Sequence, residues 1–132
     1  HCDLVLVHDG ARPFVDGDMI ARGLEAVKAT GAAIPGMTPK DTVKVVNAGD
    51  RVQSTLERNG LRMVQTPQVF KREVLERAHR EVMGDATDDA AMVESLGVAV
   101  QVFMGSYRNI KVTTPEDMAV AEALLAQGEV SV

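Results

Sequence analysis

The apolar positions of the chain fall into alternating strand-like and helix-like blocks. DLVLVH at residues 3–8 is a near-continuous apolar run, as in a strand covered on both faces. From residue 16 the spacing changes. Ile20, Leu24 and Val27 share one helical face, which predicts a helix over 16–30, with Asp16 or Asp18 as its cap and Gly31 at its stop. AAIP at 32–35 reads as a second strand and completes a strand–helix–strand unit.

Residues 41–56 depart from this pattern. TVKVV and RVQSTL flank NAGD, whose Asn, Gly and Asp suit a turn, so a hairpin is expected. Its strands mix Val with Lys, Gln, Ser and Thr. A lone hairpin of this size is not stable in water, so it must lie on the parent domain or pack against a partner chain. RMVQTPQVF at 62–70 reads as a strand interrupted by Pro67. Val74, Leu75, Ala78 and Val82 form the inner face of a helix over 71–83 that Gly84 ends.

Thr87 is expected to cap the next helix, with Asp88 and Asp89 in its first turn against the positive dipole end. That helix would bury Met92, Val93 and Leu96 and stop at Gly97. VAVQVF at 98–103 and NIKVT at 109–113 predict two further strands. The last helix has the clearest start signal: Thr114 as cap, Pro115 at the first position and Asp117 closing a capping-box pattern. Met118, Ala121, Leu124 and Leu125 are expected to face the core, and Gly128 to end the helix. The whole predicts an α/β fold, a mostly parallel sheet with a protruding hairpin arm.

Composition narrows the function classes. The 132 residues fit one domain, with 45% apolar and 25% charged residues as in ordinary globular proteins. A net charge of −5 argues against a general nucleic-acid or membrane surface, though a local basic pocket can still take a small anion. The single Cys2 excludes an internal disulfide framework and suits a reducing compartment. With no membrane-length apolar run and no signal-peptide pattern, a cytoplasmic location is expected. The chain enters a strand almost at once and has no initiator Met, which reads either as a fragment or as a trimmed chain.

In open α/β sheets ligands bind beyond the carboxyl ends of the strands, and polar residues gather at those points. Asp9, just past the first strand, can hold a divalent metal or a sugar hydroxyl; Arg12 can fork to a phosphate. The pair can equally be an ion pair that stiffens the loop before Pro13. His8 reads as a core histidine satisfied by backbone groups. Lys111 is either a solvated edge lysine or a point charge aimed at a phosphate. Arg58, in ERNGLR, is either a turn arginine in water or a ligand group. Pro67 holds Thr66 extended and so fixes the direction of its hydroxyl. Thr87 is explained by capping, although a helix N-terminus also favours anions. No GxGxxG or GxxxxGK loop, Cys/His zinc pattern or GxSxG elbow occurs in these residues.

VHDGARPF, DTVK, RNGL, QTPQVF, TDDA and NIKVTTPEDM, in this order and at these spacings, closely resemble the second half of 2-C-methyl-D-erythritol 4-phosphate cytidylyltransferases. The likeness runs from about residue 3 to residue 125. Ribitol-5-phosphate cytidylyltransferases are similar, but the RNGL, TDDA and NIKVTTPEDM forms look more like the erythritol enzymes. The resemblance implies a Rossmann-like, mostly parallel sheet with helices on both faces, in a partial nucleotidyltransferase domain over residues 1–132 with an arm at about 39–60. It implies transfer of CMP from CTP to methylerythritol phosphate with Mg²⁺ and release of pyrophosphate, in the non-mevalonate route to isoprenoids. No covalent enzyme intermediate is expected.

By the same resemblance, Asp9 and Lys111 are the catalytic candidates, with Asp9 on the metal side or on sugar hydroxyls. Arg12, Thr42, Arg58, Thr66 and Lys111 surround the sugar phosphate, and Thr87 is a further pocket residue. The hairpin becomes a homodimerisation arm that helps to build the partner's site. The family's Gly-rich CTP loop belongs to its first half and is not among these residues, and Arg108 stands where relatives often carry an acid. If these residues were the whole molecule, no cytidylyl transfer would be expected. A non-catalytic sugar-phosphate-binding or dimerisation fragment is the alternative reading.

Overall fold

The computed structural model describes residues 2–128. Strand β1 (Leu4–Val7) is followed by helix α1 (Gly17–Thr30), strand β2 (Ala32–Met37), strands β3 (Lys44–Val46) and β4 (Val52–Thr55), and a short 3-10 turn at Arg58–Gly60. Strands β5 (Met63–Val64) and β6 (Gln68–Lys71), helices α2 (Arg72–Glu81) and α3 (Asp89–Ser95), strand β7 (Gln101–Met104) and helix α4 (Pro115–Ala126) complete the order.

The sheet is mixed, not mostly parallel. β1 pairs antiparallel with β6, β6 antiparallel with β2, and β5 antiparallel with β2; only β2 and β7 are parallel partners. β1, β2 and β7 still run in one direction, as the strand–helix–strand pattern requires. The expectation fails because β6 inserts in reverse between β1 and β2. Residue patterning reports burial and not direction, so this insertion leaves no mark on the apolar run.

Helices cover both faces of the sheet. Val69 and Phe70 are adjacent, fully buried, and point to opposite sides. Val69 joins Met19, Val27, Ala33 and Phe103 under α1, while Phe70 joins Ala32, Ile34, Ala78, Ala90 and Val93 under α2 and α3. Burying a side chain of the size of Phe70 contributes roughly 1.5–3 kcal/mol. Asp16, not Asp18, caps α1 by accepting the Met19 amide at 2.8 Å. Gly31 ends that helix in the left-handed region, at φ 91°, where a side chain would be strained.

Three other expectations need correction. Asp88, not Thr87, is the N-cap of α3; its carboxylate accepts the Ala91 amide at 2.8 Å, and the buried Gln68 donates to its other oxygen at 2.9 Å. NIKVT at 109–113 is no strand. It runs extended beside the loop after β1, with the Val112 amide donating to the Ala11 carbonyl at 2.8 Å. Met118 and Leu125 of α4 are exposed, and Ala121 is its only buried residue. The apolar stripe of α4 therefore has no sheet beneath it among the described residues.

The hairpin forms as expected, with a bulge between Val45 and Val46. Asn47 Oδ1 accepts the Gly49 and Arg51 amides and so closes the turn. β3 and β4 pair with each other and lie wholly exposed, including Val45, Val46 and Val52.

The start of α4 is the full capping box expected. Thr114 Oγ1 accepts the Asp117 amide, and Asp117 Oδ2 accepts the amides of Thr113 and Thr114 at 3.0 Å. These bonds, the Thr113 amide first, stabilise the ionised carboxylate and lower its pKa below the ordinary value. The depressed folded pKa means that this stabilisation is present above the unfolded value of about 3.9 and is lost as pH falls through the folded value. The Thr113 and Thr114 amides should therefore lose hydrogen-exchange protection in acid, and Asp117→Asn should remove that acid sensitivity. Protection that stays constant down to the acid limit of folding would contradict the assignment.

Candidate functional site

Three loops meet beyond the carboxyl ends of β1 and β7. The first follows β1. There the Arg12 amide donates to the Asp9 carbonyl at 3.1 Å, a turn that brings the two side chains together. Arg12 Nε then donates to Asp9 Oδ2 at 3.1 Å. The second loop is the break between β5 and β6, where Thr66 precedes Pro67 across a cis peptide bond. The third follows β7 and carries Asn109 and Lys111.

Arg12 is tied to the third loop as well as to its own. Its Nη1 donates to the Asn109 carbonyl at 2.7 Å, and its side chain is only 12% exposed. Its Nη2 has no protein partner among the described residues and remains available to a ligand. Lys111 Nζ lies 3.8 Å from the same Asp9 oxygen, on a side chain that is half exposed. Two cations thus share one carboxylate, which leaves a local positive excess on an acidic chain. Such a balance suits an anion, and the planar fork of Arg12 suits a phosphate.

Thr66 and His8 knit the first two loops together. Thr66 Oγ1 accepts the Asp9 amide at 2.9 Å and lies 2.9 Å from His8 Nδ1. His8 Nε2 lies 2.9 Å from the Arg12 carbonyl. A carbonyl can only accept, so the network assigns the proton of a neutral His8 to Nε2. His8 Nδ1 then accepts the Thr66 hydroxyl proton. His8 is thus exposed and bridges two loops, rather than being a core histidine. Thr66, with its hydroxyl proton engaged, serves first as a loop pin.

Two residues that sequence patterning missed hold the third loop in place. Asn109 is fully buried; its Nδ2 donates to the Thr66 carbonyl at 2.7 Å. Gln65 grips Ser106 at both backbone groups, donating to its carbonyl at 2.8 Å and accepting its amide at 3.1 Å. A Cβ at Gly105 would lie 2.5 Å from Gln65 Oε1, so a larger residue there would push the Gln65 amide away from the Ser106 amide it accepts. The available signal was the polar residue at each edge of an apolar run: Gln65 before Thr-Pro, and Asn109 before Ile110.

The remaining candidates stand apart from the cluster. Arg58 Nη1 donates to the Lys40 carbonyl at the base of the hairpin, and no hydrogen bond joins it to Asp9, Arg12 or Lys111. Thr42 and Thr87 are exposed, and no hydrogen bond ties either to the cluster. The cluster grades from the nearly buried Arg12 through Asp9 to the half-exposed Lys111. No three of His, Cys, Asp or Glu gather among the described residues as a metal cage. Asp9 alone offers a carboxylate, and its Oδ1 is free of hydrogen bonds. That donor set fits an ion held mainly by phosphate oxygens and water, as Mg²⁺ often is.

The family model described as IspD: 2-C-methyl-D-erythritol 4-phosphate cytidylyltransferase matches residues 1–127. The chain belongs to this family. It is 50% identical, over 96% of its length, to the 2-C-methyl-D-erythritol 4-phosphate cytidylyltransferase of Dehalococcoides mccartyi strain 195. It is 51% identical, over 99% of its length, to the bifunctional enzyme IspD/IspF of Desulforudis audaxviator. These matches cover 56% and 34% of the two relatives. The crystal structure of the cytidylyltransferase from Thermus thermophilus superposes with a TM-score of 0.85 at 40% identity, over 96% of this chain and 63% of that one. The chain therefore spans a little over half the length of the cytidylyltransferase family's Dehalococcoides member. No helix among its described residues is long and apolar enough to cross a membrane.

The loop-pin geometry makes a direct prediction for Thr66→Val, which keeps the shape and removes the hydroxyl. The part-buried Asp9 amide and His8 Nδ1 both lose their partner. A destabilisation of about 1–3 kcal/mol is expected by urea unfolding, the usual cost of an orphaned buried polar group. An unchanged midpoint would show that water replaces the hydroxyl without loss.

Proposed function

We propose that this chain carries the sugar-phosphate-binding portion of a cytidylyltransferase that transfers CMP from CTP to 2-C-methyl-D-erythritol 4-phosphate. The reading is supported above all by the convergence of Arg12 and Lys111 on Asp9 from separate loops, in a chain of this family. A phosphate oxygen of the sugar attacks the α-phosphorus of CTP, a new P–O bond forms, and the bond to pyrophosphate breaks. The protein forms no covalent bond; it aligns the reactants and stabilises charge.

Arg12 is the fixed holder of the sugar phosphate, using its unpaired Nη2. Lys111, half exposed and weakly held, follows the attacking phosphate as negative charge shifts toward the pyrophosphate. Asp9 keeps both cations in place and receives a sugar hydroxyl. Mg²⁺, when bound, neutralises nucleotide phosphate charge, and Asp9 Oδ1 would hold it. Thr87, exposed beside the α3 cap, is an outer pocket residue.

The arm completes the site in trans. Its exposed valines and its independence of the main sheet support a homodimer in which the arm of each subunit crosses to the other. Thr42 and Arg58 then face the sugar phosphate held by the other subunit, which accounts for their distance from the cluster within one chain. The lack of a Gly-rich nucleotide loop in these residues favours a second reading, a sugar-phosphate-binding module without nucleotide chemistry.

The decisive measurement is pyrophosphate release from CTP and methylerythritol phosphate by the full chain that contains these residues. Lys111→Ala should lower the rate on the order of a hundredfold or more; an unaffected rate returns Lys111 to a solvated surface role. Turnover of ribitol 5-phosphate alone would move the assignment to the sister family. Sugar-phosphate binding by calorimetry with no CTP binding and no turnover would favour the module.

Mixing tests the arm separately. Arg58→Ala and Lys111→Ala proteins, each inactive, should regain activity when unfolded together and refolded. Random pairing restores one intact site in each mixed dimer, roughly a quarter of all sites. A mixture as inactive as its parents would place Arg58 in the site of its own chain, and an Arg58→Ala protein as active as wild type would place it outside the site.

A further inference from the structure

We infer that Asn109 is a positioning residue for the sugar phosphate, setting Arg12 and Thr66 at a fixed separation through two different groups, its backbone carbonyl and its buried side chain. The inference rests on the sugar-phosphate reading above. The Asn109 carbonyl accepts Arg12 Nη1 at 2.7 Å, while its Nδ2 donates to the Thr66 carbonyl at 2.7 Å. One residue therefore spans the fixed cation and the loop pin, two positions before Lys111.

The orientation of the amide is dictated by its neighbours. The Thr66 carbonyl can only accept, and Gln65 Oε1, 3.3 Å from Nδ2, already accepts from the Ser106 amide. Turning the amide over would set oxygen against both. The side chain is completely buried, and its Oδ1 finds no hydrogen-bond partner among the described residues. An apolar residue of similar size would avoid that cost, so core filling alone does not explain an asparagine here. What an apolar residue cannot do is hold the Thr66 carbonyl.

The bond to Arg12 determines which of its donors the ligand meets. Nε is committed to Asp9 and one hydrogen of Nη1 to Asn109, so Nη2, with the second Nη1 hydrogen beside it, is what remains for a ligand. A shift of the Asn109 backbone would turn the guanidinium plane and move Nη2 off the phosphate. Small misplacements of this kind fall on binding and alignment before they affect the rest of the fold.

The test compares Asn109→Ala with wild type in the full chain, with CTP and methylerythritol 4-phosphate as substrates. KM for the sugar phosphate should rise roughly tenfold and kcat should fall, a size typical of coupled neighbours. KM for CTP should stay within about twofold, because the variant touches only the sugar-phosphate side. Asn109→Ser, which keeps a small donor, should fall between the two and decides the matter if the alanine variant does not fold. In a Thr66→Val background the Asn109→Ala change should cost less than it does alone, since both act on the same loop. A merely structural role would scale kcat with the folded fraction and leave both KM values unchanged, and that result overturns the inference. A wild type that neither binds nor turns over the sugar phosphate would sink the functional reading itself. Wild-type turnover with an unaltered sugar-phosphate KM in the variants would sink only the role of Asn109.

Discussion

The arrangement depends on a guanidinium that is nearly out of water. Arg12 is 12% exposed, and a buried charge is tolerated only when paired and hydrogen bonded. Asp9 supplies the countercharge and Asn109 a carbonyl, from opposite ends of the described chain. These two bonds oblige the loop after β1 and the loop after β7 to keep a common geometry. Thr66 brings in the third loop, since its hydroxyl holds the Asp9 amide and its carbonyl holds Asn109. None of the three loops can shift without leaving a charge or a buried polar group unsatisfied.

The sheet makes this meeting possible by an interruption. β5 and β6 flank the same side of β2 and run antiparallel to it, with residues 65–67 between them. A continuous strand would have committed the backbone groups of Thr66 to ladder bonds. The break instead frees the Thr66 carbonyl for Asn109, while the Gln65 amide keeps one ladder-like bond to the Pro35 carbonyl at 2.9 Å. The reversed strand that contradicts the expected parallel order is thus also the element that carries a site loop between β1 and β2.

Much of this was legible where a local rule had a single physical cause. The caps at Asp16 and Thr114, the hairpin turn at Asn47 and the split at Pro67 all follow from hydrogen-bonding and steric rules within a few residues. Asp9, Arg12, Thr66 and Lys111, picked out one by one along the chain, are joined in the fold by hydrogen bonds and ion pairs through Asp9. Strand direction was not legible, because an apolar run looks the same either way along. Thr87 and Asp88 are both good caps, and the choice between them turned on the distant Gln68, which holds Asp88. NIKVT has strand composition, yet its first residue is spent on Arg12 and Thr66 instead of a ladder. The period of α4 alone predicts a buried stripe, and period does not say what lies beneath it. Arg58 stands apart from the cluster within one chain, its Nη1 bonded to the Lys40 carbonyl at the base of the hairpin, and a motif in sequence cannot say which copy of a chain a side chain serves.

The two cations of the cluster differ in a way that suggests different tasks on the proposed reading. Arg12 is buried, fixed at two of its three nitrogens, and little screened by salt. Its grip is set before a ligand arrives and changes little as bonds form, so it contributes equally to ground-state and transition-state binding. Lys111 is 53% exposed and 3.8 Å from its carboxylate, a pairing of small net worth. Exchanging that carboxylate for a phosphate oxygen costs little, and a flexible ammonium can move with the charge as it redistributes. Only an interaction that strengthens on the way to the transition state speeds the chemical step. On the proposed reading, the physical asymmetry between a locked guanidinium and a loose ammonium fits holding to Arg12 and acceleration to Lys111, with Asp9 as the countercharge the two share.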